Sequence, residues 1–175
     1  MEEDLKTLEI KTKIGMLSVV FDSKRIYKVV FGGFDDINSH HVRATRKNTE
    51  SILKDSVYLQ TDISSFVANL KKFTEGNFSS LKSYRPKILN NSFFTGTLNQ
   101  INSIPFGKTA SYKQIATKLN SPKASRAVGT CCSKNPLPFI IPCHRVIKSN
   151  GQLGNYAFGE DLKRRLIDYE RLQAS

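Results

Sequence analysis

The sequence predicts an α+β protein in which an antiparallel sheet domain precedes a mostly helical one. Three observations carry that expectation: β-rich runs crowd the first 31 residues, helical spacing dominates after residue 92, and carboxylates vanish from the middle of the chain. With 175 residues, 39% hydrophobic and 24% charged, the chain is long enough to bury a core in one domain or two small ones. The expected boundaries are a scaffold domain over 1–85, a linker over 86–91 and a second domain over 92–175.

Residues 8 to 31, "LEIKTKIGMLSVVFDSKRIYKVVF", contain three β-rich runs separated by "IG" and "DSK", the pattern of a small meander. A turn-rich polar stretch follows, from Gly32 to about Lys47. "TDISSFVANLKKFTEGN" predicts a helix capped by Thr61 or Asp62, with Ile63, Phe66, Val67 and Leu70 at helical spacing and Gly76 near its end. "SSLKSYRPKILNN" has linker character. "SFFTGTLNQINSIPFG" supplies a helix stopped by Pro105 and Gly107. "SYKQIATKLN" then predicts a short helix capped by Ser111, with Tyr112, Ile115, Ala116 and Leu119 on one side. "SPK" turns the chain, and "ASRAVGTCCSKN" makes a second short helix. Two short helices around a tight turn, over about 111–134, have the outline of a helix-turn-helix unit. The terminal segment "EDLKRRLIDYERLQAS" is helical in pattern.

The net charge of +12 is unevenly spread. Residues 76 to 159 carry no carboxylate, while Lys108, Lys113, Lys118, Lys123, Arg126, Lys134, Arg145 and Lys148 lie among them. Such a segment favours a polyanion, and nucleic acid is the expected partner through phosphate neutralisation. In the second short helix Ala124, Ser125, Ala127, Gly129 and Thr130 are small and Arg126 projects among them, so this helix can lie close to a duplex or pack against another helix. No apolar run approaches a membrane span, and the acidic start "MEEDLKTLEI" is unlike a signal peptide, so no membrane role and an intracellular location are expected. Three cysteines, two of them neighbours, give no disulfide framework and fit a reducing compartment.

One stretch carries reactive chemistry. "IPCHRVIKSNG", 141–151, sets Cys143 beside His144 and Arg145, groups that lower a thiol pKa when they reach it. In an extended segment adjacent side chains point to opposite faces, so a direct Cys143–His144 bond needs a tight turn or a bridging water. Adjacency alone leaves Cys143 either a nucleophile or a buried packing residue. On the last helix Glu170 falls between Leu166 and Ile167 at the edge of the apolar face. It either turns inward to hold His144 or stays on the flank, paired with Lys163 or solvated. Cys131 and Cys132, taken with Cys143 and His144, lack a C-x2-C metal spacing, so no metal and no cofactor are expected.

Together "PFGKTASYKQIA", "SRAVG", "KNPLPFIIPCHRV" and "IPCHRVIKSNGQLGNYAFG" closely resemble the C-terminal domain of the O6-alkylguanine-DNA alkyltransferases, from about Ser92 to Glu170. Residues 1 to 85 match only in style, where the resemblance implies a ribonuclease H-like domain. It implies that Cys143 accepts the alkyl group, His144 is its base through a water, Glu170 orients His144, and Asn135 braces the turn before the active-site strand. Tyr112 would crowd the target nucleotide's phosphate and hydrogen-bond the purine, and Arg126 would fill the stack the base has left. Val146, Asn155 and Tyr156 would line the guanine pocket, and Ser125, Thr130 and Lys123 would meet the DNA backbone.

The implied function is repair by direct reversal: a monomer enters the minor groove of double-stranded DNA without sequence preference, flips out O6-methylguanine and transfers the methyl once, irreversibly, to Cys143. The implied location is cytoplasmic in a prokaryote and nuclear in a eukaryote. Departures are also visible. The N-terminal half has no cysteine and only His40 and His41, so the zinc site of some members is not expected. Ala157 stands where many members have serine, and Phe158 where some have glycine, an expected narrowing of the pocket. A lesion-binding relative without the cysteine and a Cys-His hydrolase are the rival readings; Cys143 with His144, Asn135 and Glu170 speaks against the first, and the basic, acid-free segment against the second.

Overall fold

A computed structural model describes residues 5–32, 57–89 and 92–174. The chain divides into two compact units, Met1–Asn90 and Asn91–Ser175. The polar stretch expected from Gly32 to about Lys47, with His40 and His41, lies almost wholly outside the described residues.

The first unit is built on a five-stranded sheet, β1 (Lys6–Thr12), β2 (Gly15–Phe21), β3 (Arg25–Phe31), β4 (Val57–Gln60) and β5 (Pro86–Ile88), in sequence order with every neighbouring pair antiparallel. Both predicted breaks are real turns. Gly15 adopts φ 121°, and the Phe31 ring lies where a side chain at Gly15 would stand. Asp22 closes the next turn: its Oδ1 accepts the Lys24 and Arg25 amides, each at 2.7 Å, and its Oδ2 accepts the Tyr27 hydroxyl at 2.6 Å. A buried carboxylate with three donors is a satisfied one. Helix α1 (Ile63–Thr74) starts where Asp62 Oδ2 accepts the Ser65 amide at 2.7 Å, and it buries Phe66, Leu70 and Phe73. Residues 86–88, expected in a linker, instead form β5. The strand is only three residues long and begins with proline, which is tolerated at a strand's first position and masks the pairing in sequence.

The second unit holds helices α2 (Phe93–Asn102), α3 (Tyr112–Lys118), α4 (Ser125–Ser133) and α5 (Glu160–Gln173). Capping boxes start two of them: Ser92 with Thr95 on α2, and Ser111 with Gln114 on α3. Helices α2, α3 and α4 pack on one another through Leu98, Ile101, Ile115, Ala116 and Val128, each at most 1% exposed. Between α3 and α4 the chain turns at Asn120, φ 54°, a left-handed position that asparagine adopts more readily than most residues. Ala124, at the α4 N-cap, offers no side-chain oxygen to the first amides.

Two short elements carry the rest. Strand β6 (Ala110–Ser111) pairs in parallel with β7 (Val146–Ile147), tying the start of α3 to the chain leaving Cys143. Cys143–Arg145 is a 3-10 turn and not the extended segment expected: the Cys143 amide bonds Ile141 O at 2.8 Å and the Arg145 amide bonds Pro142 O at 2.9 Å. Pro142 favours this tightening, because its fixed φ suits a turn. No helix among the described residues is long and apolar enough to cross a membrane.

Candidate active site

Cys143 is 6% exposed and sits on the 3-10 turn between α2 and α5, and the loop after α4 reaches it through Asn135. Asn135, just past α4, uses its whole amide here. Its Nδ2 donates to Ile141 O at 2.7 Å and to Cys143 Sγ at 3.1 Å, and its Oδ1 accepts the Leu137 amide at 3.1 Å. The loop is thereby fixed and the sulfur aimed. Phe139, within the same loop, has φ 72°, a strained backbone for a bulky residue, and its ring packs on Phe158 at 4.6 Å.

Glu170 turns inward, 5% exposed, and takes four hydrogen bonds. Oε1 is 2.8 Å from His144 Nε2 and accepts Arg145 Nη2 at 3.0 Å; Oε2 accepts Arg145 Nε at 2.8 Å and the Gly107 amide at 3.2 Å. Burial alone would raise its pKa, but the His144 and Arg145 hydrogen bonds outweigh that and bring it to about 2. "PFG" forms the clasp. Gly107 takes φ 77°, and a Cβ there would collide with Ala174 Cβ, while the Phe106 ring lies 5.6 Å from the Arg145 guanidinium.

Burial pushes the His144 pKa down, more than Glu170 raises it, so the ring is neutral near pH 7. A carboxylate accepts only, which puts the ring proton on Nε2 and leaves a lone pair on Nδ1. That Nδ1 is buried and has no partner among the described residues. Burial also pushes the Cys143 thiol up, partly offset by the Asn135 hydrogen bond and the Lys163 charge. The resting site is a thiol beside a base with an open lone pair.

Tyr112 stands at the same place from α3. Burial, then the Cys132 and Cys143 charges, push its hydroxyl to about 12, so it remains a donor. A Cβ on Gly154 would meet Tyr112 Oη at a tight 3.1 Å, while one on Gly129 would meet Cε1 at an ordinary contact of 3.8 Å. Tyr156 faces His144 at 6.4 Å between ring centres, and its hydroxyl is buried without a partner among the described residues. Phe158 stacks on Tyr156 at 5.5 Å. Asn155 and Ala157, expected beside them, are exposed. Arg126, Thr130 and Lys123 are exposed on and before α4, and Ser125 is half-buried.

Two cations take places the sequence reading did not give them. Lys163 is fully buried, and its Nζ donates to Val146 O at 2.7 Å instead of pairing with Glu170. It stands 6.0 Å from both the Tyr112 and Tyr156 ring centres. Arg145 closes the Glu170 fork and donates Nη1 to Ile104 O at 2.7 Å. Helical spacing held a signal for Lys163, since positions 163 and 170 lie about two turns apart on one stripe. Among the described residues no three His, Cys, Asp or Glu side chains gather as a metal-holding group.

A helical unit carrying a buried, amide-held cysteine and a carboxylate-held histidine defines the class, and residues 92–172 match the family described as 6-O-methylguanine DNA methyltransferase, DNA binding domain. The chain is 44% identical over 92 residues to a methylated-DNA–protein-cysteine methyltransferase of Methanosarcina acetivorans, covering 51% of this chain and 59% of that protein. It is 29% identical over 164 residues to a probable methylated-DNA–protein-cysteine methyltransferase of Acanthamoeba polyphaga mimivirus, covering 93% and 94%. Apart from the viral protein, the chain spans about half the length of the first curated relatives it matches. A solved OGT variant from Mycobacterium tuberculosis superposes with TM-score 0.68 at 25% identity, covering 98% of this chain and 96% of that one, with the same mixture of antiparallel sheet and helices. Over residues 92–172 the chain is similar to the O6-alkylguanine-DNA alkyltransferases.

Proposed function

We propose that this protein repairs DNA by direct reversal, moving the alkyl group of O6-alkylguanine, chiefly methyl, onto Cys143 in a single irreversible turnover. The observation that carries the reading is the pairing of a buried Cys143 thiol, held by Asn135, with a neutral His144 whose Nδ1 lone pair is unpartnered and whose Nε2 is held by Glu170. His144 takes the thiol proton through a water, and sulfur attacks the methyl carbon in line as the carbon–O6 bond breaks. The purine keeps that electron pair, Tyr112 hydrogen-bonds it as charge develops, and guanine ends with a proton on its ring nitrogen. The thioether formed is a poor leaving group, so the protein is consumed.

A thiol at this depth reaches only a nucleotide rotated out of the stack. In this reading α3 and α4 act as a helix-turn-helix unit that lies in the minor groove of double-stranded DNA without sequence preference, and the protein works as a monomer. Arg126 fills the vacated stack, and Lys123, Ser125 and Thr130 meet phosphates near the uncapped start of α4. Support comes from the exposure of Arg126 and the absence of carboxylates from 76 to 159. Val146, Tyr156 and Phe158 wall the guanine pocket, with Asn155 and Ala157 at its rim. The first unit, Met1–Asn90, serves as a ribonuclease H-like scaffold. A DNA complex solved for Mycobacterium tuberculosis OGT supports the choice of partner.

An oligonucleotide with one O6-methylguanine, mixed with equimolar protein and followed by intact mass, tests this. The expected result is one methyl on Cys143 per molecule, absent in Cys143→Ala while DNA binding persists. Repeated turnover, or an unchanged protein mass, would sink the proposal.

A further inference from the structure

The proposed reaction leaves Cys132 unused, although α4 delivers it to the same place as Cys143. Cys132 lies one turn beyond Gly129, whose open face looks at the Tyr112 ring, and four residues beyond the fully buried Val128. Residues at those spacings share a helix face, so the half-buried Cys132 thiol lies on the face that looks toward Tyr112. Asn135 touches both cysteines: its amide N donates to Cys132 O at 3.3 Å, and its Nδ2 donates to Cys143 Sγ at 3.1 Å. The two sulfurs lie within electrostatic reach of each other, of Lys163 and of Tyr112. Cys131, about 100° round the helix, faces Thr97 on α2 instead.

We infer that Cys132 is a resolving thiol for Cys143, which captures an oxidised Cys143 as an intramolecular Cys132–Cys143 disulfide. The oxidant is a hydroperoxide. Cys143 attacks the terminal peroxide oxygen, the O–O bond breaks, and Cys143 becomes a sulfenic acid with release of water or alcohol. The Cys132 sulfur then attacks the sulfenic sulfur, the S–O bond breaks, and water leaves with the Cys132 proton. Two electrons pass in all from the sulfur pair to the peroxide. Capture halts Cys143 before the sulfinic stage, which thiols do not reverse, and leaves a bond that they do. The same lone pair on His144 that activates Cys143 for alkyl transfer makes it reactive toward peroxide, so the inference rests on that reading of Cys143.

Hydrogen peroxide in molar excess, followed by trypsin without reduction, tests it. Cleavage after Arg126, Lys134 and Arg145 places Cys132 on peptide 127–134 and Cys143 on 135–145. The expected product is these two peptides joined with loss of two hydrogens, in the native protein and in Cys131→Ala, with methyl transfer abolished and then restored by dithiothreitol. Cys132→Ala should instead carry two oxygens on Cys143 and recover no transfer. Loss of the cross-link in Cys131→Ala, cross-links only between molecules, or sulfinic Cys143 in the native protein would overturn the inference. If Cys132→Ala does not fold, the native and Cys131→Ala peptide maps decide alone. The cross-link is read from peptides, so its failure is separate from a failure of methyl transfer on fresh, reduced protein.

Discussion

Replacing Glu170 by glutamine fixes the side chain in an uncharged form and removes the acceptor for the Arg145 fork. In the fold the carboxyl drops from its ordinary 4.5 to about 2. At about 1.4 kcal/mol per pH unit, the ionised group is favoured in the folded state by about 3 kcal/mol. A group whose folded pKa is depressed contributes this stability above its unfolded value and loses it as pH falls through the folded one. For Glu170 the window runs from about pH 5 down to about 2. Urea unfolding, followed by helical circular dichroism across that range, should show Glu170→Gln about 3 kcal/mol less stable at pH 7, with the gap narrowing to below about 1 kcal/mol near pH 2. His144, whose folded pKa is also lowered, adds acid lability to both proteins below its ordinary 6.5. The methyl-transfer rate at pH 7 should fall at the same time, because His144 loses the charge that holds its Nε2 proton. A stability gap that does not change with pH would refute the reasoning, since it would trace to packing and not to charge.

Other substitutions probe the supports. Gly107→Ala combines a left-handed backbone with a collision at Ala174, and should cost about 1–3 kcal/mol in urea unfolding while slowing methyl transfer through the lost Glu170 contact. Phe158→Gly removes the ring that stacks on Phe139 and Tyr156; the rate with an O6-benzylguanine substrate should rise relative to methyl, and an unchanged ratio would count against Phe158 as a pocket wall.

Where structure is set by neighbours in sequence, it was legible there. The first three strands, the Asp62 and Ser111 caps and the stop at Gly76 all follow from local chemistry, whereas the helix expected to run to Pro105 and Gly107 ends earlier, at Asn102. Strands β4 and β5 were not legible, because four and three residues hold too little pattern and their pairing joins distant segments. In the site, helical periodicity put Glu170 at the edge of the apolar face and left its direction open, and it was not applied to Lys163, which was read only as a flank partner for Glu170. A buried ammonium is affordable there because a backbone carbonyl, Val146 O, receives it. The turn at Cys143 was hidden for a different reason. It depends on Asn135 and Ile141 meeting across a loop, which no spacing rule records.

Strands β6 and β7 are only two residues each, yet their pairing acts as a ruler. It joins Ser111, the cap of the helix that begins with Tyr112, to Ile147, just past the thiol turn. In the proposed complex the grip on the nucleotide and the sulfur that attacks it are therefore two ends of one rigid gauge. The length of that gauge is set by main-chain hydrogen bonds alone. Side chains on α3 and α4 can vary, and the duplex can be held more or less tightly, without altering how far the alkyl carbon must travel to reach Cys143.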